Sequence, residues 1–164
     1  MKTAERVSAK DLQSTDVFAG LSADDLERIA GSYSWLVYQP GEYCALEDET
    51  IRQLLIVAEG KVAIEMRVVA PPHTQTVTIA TLTKGKVCAW SALVPPHVLT
   101  ASIRCTEKTR MIGIEALDLQ RILGETPLIE GAVMKNLAGI ISSRLKEGRA
   151  QLKRLVGEVI RQGK

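Results

Sequence analysis

Aromatic residues are scarce in this chain of 164 residues, which has one Phe, two Trp and three Tyr. A surface that stacks successive bases of a single-stranded nucleic acid needs several aromatic rings, so that function is not expected. Long apolar runs are also missing, because no stretch reaches the roughly 18 residues of a membrane span. The first six residues lack the apolar core of a signal peptide. We therefore expect a cytoplasmic protein that makes no use of a membrane.

Cysteine and histidine, the residues of disulfide frameworks and many metal sites, are few. Cys44, Cys88 and Cys105 are odd in number and far apart in the sequence, which favours reduced thiols in a cytosol. Cys88 and Cys105 fall on apolar strand positions, so we expect buried thiols without a resolving partner nearby. The chain has only two histidines and no CxxC or HxxxH spacing, and no metal site is expected.

The same shortage argues against catalysis. An enzyme built on a cupin-like barrel needs clustered histidine and carboxylate ligands for its metal. A hydrolase of the nucleophile-elbow type needs the motif G-x-S-x-G, which does not occur. With 46% hydrophobic residues, 24% charged residues and a net charge of +2, the composition is that of an ordinary soluble globular protein. Because these motifs are missing, no enzymatic activity is expected.

Three zones follow one another along the chain, and they predict an α+β protein. Residues 1–32 are predicted to be helical, with Ser22 and Asp25 forming a capping pattern before a short helix at about 23–30. Residues 33–115 show strand periodicity, including alternation in 61–68 and in 99–106 and a continuous apolar run at 54–57. Turn signals separate these strands at intervals of about 8–12 residues, which favours an antiparallel sandwich or barrel.

The last zone, residues 116–164, predicts a short helix near 116–123 and a long helix that begins at about Pro127, with Thr126 as its cap. Apolar and small residues recur along the long helix at alternating steps of four and three: Met134, Ala138, Ile141, Leu145, Gly148, Leu152, Leu155 and Val159. This heptad seam predicts a parallel homodimer, because one small domain does not need so long a helix for its own core.

The distal part of this helix is basic. Residues 142–164 carry a net charge of +5, whereas the remainder of the chain carries −3. One interpretation is the solvated flank of a coiled coil, and the other is a patch for nucleic acid or for an acidic protein partner.

The order of elements resembles the cyclic nucleotide-binding domain, the sensor module of catabolite-activator transcription factors, kinase regulatory subunits and some channels. The resemblance runs from about Phe18 to Arg144 and depends on local motifs: Phe18-Ala19-Gly20-Leu21, Gln39-Pro40-Gly41-Glu42, the hairpin at 55–62 and Leu82-Thr83-Lys84-Gly85. Gly41, Gly60 and Gly85 fall where the family places structural glycines, since positive φ costs glycine little. The resemblance implies a β-barrel or jelly roll of about eight strands, with short helices before it and a long helix after it.

The resemblance also locates a phosphate-binding cassette. In members that bind cyclic nucleotides, a Glu holds the ribose hydroxyl and an Arg pairs with the cyclic phosphate. By resemblance, the cassette positions here are Ala89, Trp90, Ser91, Ala92, Leu99, Thr100 and Ala101. Trp90 stands in place of the Glu and Leu99 in place of the Arg, so cyclic nucleotide binding is expected to be weakened or lost.

Three further residues are candidates for ligand contacts. His97, in the cassette loop, is an anion contact or haem ligand if it is not simply solvated. Ser142 and Ser143 of the long helix either reach a ligand in the barrel, as helix residues of the resembled family do, or are surface residues of the helix without a role. No cofactor is assigned. The pocket is expected to take a weakly bound cyclic nucleotide, haem or another apolar ligand, or to be plugged in a protein that only dimerises.

These observations predict a regulatory module with a sensor domain at residues 1–127 and a dimerisation helix at 128–164. In transcription factors of the resembled family, a helix-turn-helix domain follows the long helix. No such domain is expected here, so sequence-specific DNA binding is not predicted for this chain alone.

Overall fold

Two four-stranded antiparallel sheets and four α-helices make up the computed structural model, which describes residues 2–3, 6–31 and 33–162. In chain order the elements are β1 (Lys2–Thr3), α1 (Ala9–Gln13), α2 (Ala23–Ile29), β2 (Tyr33–Tyr38), β3 (Tyr43–Ala45), β4 (Gln53–Glu59), β5 (Val62–Ala70), β6 (His73–Leu82), a short 3-10 helix (Trp90–Leu93), β7 (Ser102–Cys105), β8 (Thr109–Glu115), α3 (Ala116–Glu125) and α4 (Pro127–Gln162). The strand orders are β1-β2-β8-β4 and β3-β7-β5-β6. The predicted α+β class, with short helices before the sheets and a long helix after them, is confirmed.

Strand β4 explains how the core is layered. Its residues Leu54 and Ile56 pack into a cluster with the helices, whereas Leu55 and Val57 pack into a second cluster between the two sheets. All four are buried, since successive strand residues point to opposite faces and both faces of this strand are covered. The prediction from the continuous apolar run at 54–57 is therefore confirmed.

Helical ends follow the local capping chemistry. The Ser22 hydroxyl accepts a hydrogen bond from the Asp25 amide at 3.2 Å and caps α2. Helix α4 begins at Pro127, and the carbonyl of Thr126 accepts from the amides of Ile129 and Glu130. At the other end of the chain the helical prediction for 1–32 is wrong in part, because Lys2 and Thr3 form an edge strand whose backbone pairs with β2.

The alternation in 61–68 describes only part of β5. From Val62 to Glu65 the strand lies between β6 and β7, and all four residues are buried. Beyond Glu65 it pairs only with β6, so Met66 and Val68 are exposed although the pattern predicts them on the apolar face. The second alternating segment, 99–106, is a strand only from Ser102 onwards.

Gly60 and Gly85 hold the chain in turns that no side chain fits. Gly60 has φ of 90°, and a Cβ there would lie 2.5 Å from the carbonyl oxygen of Lys108. Gly85 has φ of 83°, and its Cβ would lie 2.6 Å from the carbonyl oxygen of Ser14. Gly41 has φ of 88° with open space around it, so only backbone strain would oppose a side chain. Gly85 directly precedes the segment that carries the cassette.

Candidate functional site

Backbone hydrogen bonds hold the cassette segment at both of its ends, to strand β4 at one end and to the loop between β3 and β4 at the other. At the N-terminal end of the segment, the Cys88 amide donates to the Leu55 carbonyl at 2.8 Å, and the chain then enters the 3-10 helix. Toward the C-terminal end of the segment, the Leu99 amide donates to the Glu49 carbonyl at 2.9 Å. This backbone pairing fixes Trp90 and Leu99, although Leu99 lies outside any strand.

A small cavity of about 90 Å³ lies between the cassette, β5, β6, β7 and α4. Its wall is mainly apolar, with polar contributions from two hydroxyl-bearing residues and one arginine: Ile64, Ile79, Ala80, Leu82, Cys88, Trp90, Ser91, Leu99, Thr100, Ala101, Ile103, Arg144 and Gly148. Arg144 is the one charged residue in this lining. The cavity is therefore suited to a few apolar atoms with a single anionic or polar group.

Five of the seven cassette positions line this cavity: Trp90, Ser91, Leu99, Thr100 and Ala101. The remaining two, Ala89 and Ala92, are buried in the two core clusters and do not line it. Leu99 is only 4% exposed and presents an apolar wall where the resemblance expects an arginine. Trp90 is half-buried and packs partly against the helical side of the core.

The candidate contacts outside the cassette lie elsewhere. The ring Nδ1 of His97 is 3.3 Å from the carbonyl oxygen of Ser91, and His97 does not line the cavity. Ser143 lines a separate groove, described below, and its hydroxyl lies 3.5 Å from the carboxylate of Glu147. Ser142 is exposed. The helix residue that reaches the cavity is Arg144, which was not among the predicted ligand contacts.

Helix periodicity explains the position of Arg144. Ile129, Val133, Leu137 and Ile140 form the buried face of α4, and Arg144 lies one helical turn beyond Ile140 on that same face. The signal was therefore present in the sequence, but it could be used only with knowledge of which face packs on the domain.

A groove adjoins the cavity, with Leu82 and Arg144 lining both. The groove also contains Lys86, Lys135, Asp16 and Glu147. Arg144 Nη1 donates to Glu147 Oε2 at 3.0 Å, and the Arg144 side chain is 18% exposed. Burial raises the pKa of Asp16 above its usual value, while the Val87 amide that donates to its carboxylate at 3.0 Å acts in the opposite direction.

The heptad seam runs along a different flank of α4. Leu145 directly follows Arg144 and is therefore rotated by roughly a quarter turn from the domain face. Met134, Leu145, Leu152, Leu155 and Val159 have exposed fractions from 36% to 68%, and Ala138 is exposed as well. Ile141 and Gly148 lie at the boundary, since Ile141 packs partly on the core and Gly148 lines the cavity.

The three thiols are closer than their sequence separation indicates. Cys88 and Cys105 are buried, as predicted. The expectation that they lack a nearby thiol is wrong, because Cys105 Sγ lies 3.3 Å from Cys44 Sγ across the β3–β7 pair. Burial raises the pKa of Cys44 and of Cys88, which keeps both thiols protonated near neutral pH.

No group of three or more His, Cys, Asp or Glu residues is placed to hold a metal ion within the part of the chain that the structure describes. Over the same residues, none of the helices combines the length and the apolar character that crossing a membrane requires.

Comparisons with known proteins agree on the fold. The family model for the cyclic nucleotide-binding domain matches residues 35–126. A comparison with curated proteins gives no match.

Solved structures resemble the chain over most of its length. A proposed cyclic nucleotide-binding protein from Geobacter metallireducens GS-15 is 23% identical, with a TM-score of 0.70 over 85% of this chain and 98% of the other. A cyclic nucleotide-binding domain from Methylobacillus flagellatus KT is 15% identical, with a TM-score of 0.74 over 89% and 80%. The catabolite activator protein of Thermus thermophilus is 22% identical, with a TM-score of 0.67 over 87% of this chain and 63% of that protein. At these identities the likeness establishes the fold alone.

Proposed function

The chain belongs to the cyclic nucleotide-binding domain family, and from this premise we propose that it is a non-enzymatic regulatory module whose pocket has weakened or lost affinity for cyclic nucleotides. The fold is that of a sensor. The identity of the occupant depends on the residues at the site.

The observation that carries this proposal is the pairing of Trp90 and Leu99 on the wall of a cavity of about 90 Å³. Ligands of nucleotide size occupy pockets of about 300 Å³ or more. A cyclic phosphate placed against Leu99 would lose its charge-assisted partner, which is worth about 1.5–3 kcal/mol. Trp90 provides one N–H donor and no carboxylate for a ribose hydroxyl.

The second part of the proposal is a parallel homodimer formed through α4. Five large apolar side chains of the seam are exposed on a helix of 36 residues, of which only Ile129, Val133, Leu137 and Ile140 are buried against the domain. A second copy of the chain is the self-complementary partner that a heptad seam favours. In this arrangement residues 1–127 act as the sensor and 128–164 as the dimerisation helix.

Signalling then follows from the contact between pocket and helix. Because Arg144 and Gly148 of α4 line the cavity, an occupant changes the relative free energies of helix orientations and shifts their populations. The dimer transmits the change to a partner. We propose a cytoplasmic location, and we assign non-specific contacts with nucleic acid or an acidic protein to the basic distal part of α4 as a secondary role.

Two alternatives are separated by specific observations. In a protein that only dimerises, the pocket would be filled by its own side chains. Here a small cavity of about 90 Å³ is left beside Trp90 and Leu99, which favours a ligand-binding role. A haem sensor is disfavoured because His97 does not line the cavity and its ring nitrogen lies beside the Ser91 carbonyl.

Isothermal titration calorimetry with cyclic AMP and cyclic GMP tests the proposal. We expect no saturable heat at millimolar nucleotide. Micromolar or tighter binding of either nucleotide would overturn the proposed loss of affinity.

A further inference from the structure

We propose that the cavity binds a short-chain aliphatic carboxylate, with its hydrocarbon chain among the apolar side chains and its carboxylate on the guanidinium of Arg144. This inference rests on the proposed function, since it names the class of ligand that the same pocket senses.

The size of the cavity sets the length of the hydrocarbon chain. A dry apolar cavity of about 150 Å³ holds one benzene molecule. By the same ratio, the cavity of about 90 Å³ holds about four carbon atoms. Branched and small side chains such as Ile64, Ile79, Ala101 and Ile103 form this part of the wall, and they offer no polar partner for a larger, oxygen-rich ligand.

The polar end of the ligand is set by Arg144. It is the one charged residue of the lining and lies at the boundary with the groove, so a chain in the cavity can keep its carboxylate near water. Arginine pairs with a carboxylate through two parallel N–H donors. Lys86 and Lys135 of the groove add positive charge, whereas Asp16 and Glu147 oppose it, which favours a ligand with one negative charge over a phosphate.

Glu147 pairs with the guanidinium of Arg144 in the structure. Its carboxylate accepts from Arg144 Nη1 at 3.0 Å and 3.3 Å, as an i,i+3 pair on α4. A ligand carboxylate that pairs with both η nitrogens of Arg144 competes with Glu147 for Nη1. Binding therefore exchanges a contact within the helix for a contact between the helix and the cavity, which links ligand occupancy to the position of α4.

A nuclear magnetic resonance titration of the full chain tests the inference. The indole N–H of Trp90 reports on the cavity while linear carboxylates of two to eight carbons are added at constant ionic strength. Each buried CH₂ strengthens binding about fourfold, so affinity should rise from acetate to pentanoate and then stop rising. Pentanol, which has the same chain without the carboxylate, should bind at least tenfold more weakly than pentanoate.

Three substitutions on α4 distinguish a direct contact between Arg144 and the ligand from a non-specific effect of net charge on binding. Arg144→Gln should weaken pentanoate binding at least tenfold and leave pentanol binding unchanged. Glu147→Gln should strengthen pentanoate binding about twofold, because a competing exposed ion pair is removed. Arg149→Gln removes the same charge from an exposed position outside the cavity and should change neither ligand.

Equal affinities for pentanoate and pentanol would overturn the inference, and so would saturable binding that Arg144→Gln leaves intact. Absence of any saturable shift at Trp90 would overturn it as well. If Arg144→Gln does not fold, the acid–alcohol comparison on the unmodified chain still decides. Cyclic AMP added to the same sample separates the two proposals, because displacement of pentanoate at micromolar cyclic AMP would overturn the proposed function instead.

Discussion

The guanidinium of Arg104 donates two hydrogen bonds to a single oxygen of Glu65, from Nε at 2.9 Å and from Nη2 at 2.6 Å. The Tyr43 hydroxyl donates to the other carboxylate oxygen at 3.1 Å. These residues lie on β7, β5 and β3, so the cluster joins three neighbouring strands of one sheet. Glu65 is 4% exposed, and its hydrogen bonds from Arg104 are the main cause that lowers its pKa below the usual value.

Replacing Glu65 by Gln should lower the free energy of unfolding by about 2 kcal/mol at pH 7, because the Arg104 guanidinium then pairs with a neutral amide oxygen instead of a carboxylate. A carboxyl with a lowered pKa stabilises the fold above the pKa of the unfolded chain, and this contribution disappears as the pH falls through the folded-state pKa. The difference between the parent and Glu65→Gln should therefore shrink below about pH 4. Urea unfolding at several pH values measures this difference in the free energy of unfolding.

The exposed turn residue Glu107 provides the control. Glu107→Gln should change the free energy of unfolding by less than about 0.5 kcal/mol at every pH. A difference for Glu65→Gln that stays constant from pH 7 to pH 3 would show that the ion pair is not its source.

The thiols should react slowly in the folded protein. Burial raises the pKa of Cys44 and of Cys88, so little thiolate is available at pH 7. Ellman's reagent should label the native chain at least tenfold more slowly than the chain unfolded in guanidinium chloride, and the native rate should increase with pH. Labelling of all three thiols at the unfolded rate would contradict the burial of Cys88 and Cys105.

The seam on α4 gives a test of oligomeric state. Leu152 is 60% exposed within one chain, so Leu152→Asp should leave the domain folded but place a charge in the proposed dimer interface. Sedimentation equilibrium at micromolar concentration should give a dimer for the parent and a monomer for Leu152→Asp.

Ala150 lies on the same helix, about half a turn from Leu152 and away from the seam, and is exposed. Ala150→Asp should therefore remain dimeric. A monomeric parent, or a dimer that tolerates Leu152→Asp, would contradict the proposed dimer interface along the seam.

Replacing the turn glycines by alanine should destabilise the fold to different extents. Gly60→Ala and Gly85→Ala should each lower the free energy of unfolding by more than about 1 kcal/mol, since both combine positive φ with backbone contacts under 3 Å. Gly41→Ala should cost less, because its surroundings are open. Gly131→Ala, in the exposed part of α4 with open space, should instead stabilise by up to about 1 kcal/mol. Thermal or urea unfolding measures all four, and equal costs at Gly41 and Gly60 would contradict the packing argument.

Local chemistry explains which parts of the fold could be predicted from the sequence. Pro127 and Thr126 place the start of α4 because the missing amide of proline is harmless only in the first turn. The apolar run at 54–57 indicates a strand covered on both faces without any knowledge of what covers it. Each of these predictions needs only the residues of one short segment of the sequence.

Features that depend on two segments were missed or misplaced. The segment from Leu99 to Ala101 has the alternation of a strand, but its backbone turns to meet Glu49 and only Ser102–Cys105 pairs with the sheet. Cys44 and Cys105 meet because β3 and β7 are neighbours, which no spacing in the sequence reveals. Arg144 could be placed at the cavity only after the buried face of α4 was known.

Equilibrium dialysis of labelled cyclic AMP tests directly whether Trp90 and Leu99 weaken or abolish cyclic nucleotide binding. The experiment compares the parent chain with the Trp90→Glu, Leu99→Arg double variant. We expect no measurable binding to the parent and at least tenfold tighter binding to the variant, because the guanidinium restores a charge-assisted partner for the phosphate. Micromolar binding to the parent, equal to that of the variant, would contradict this expectation.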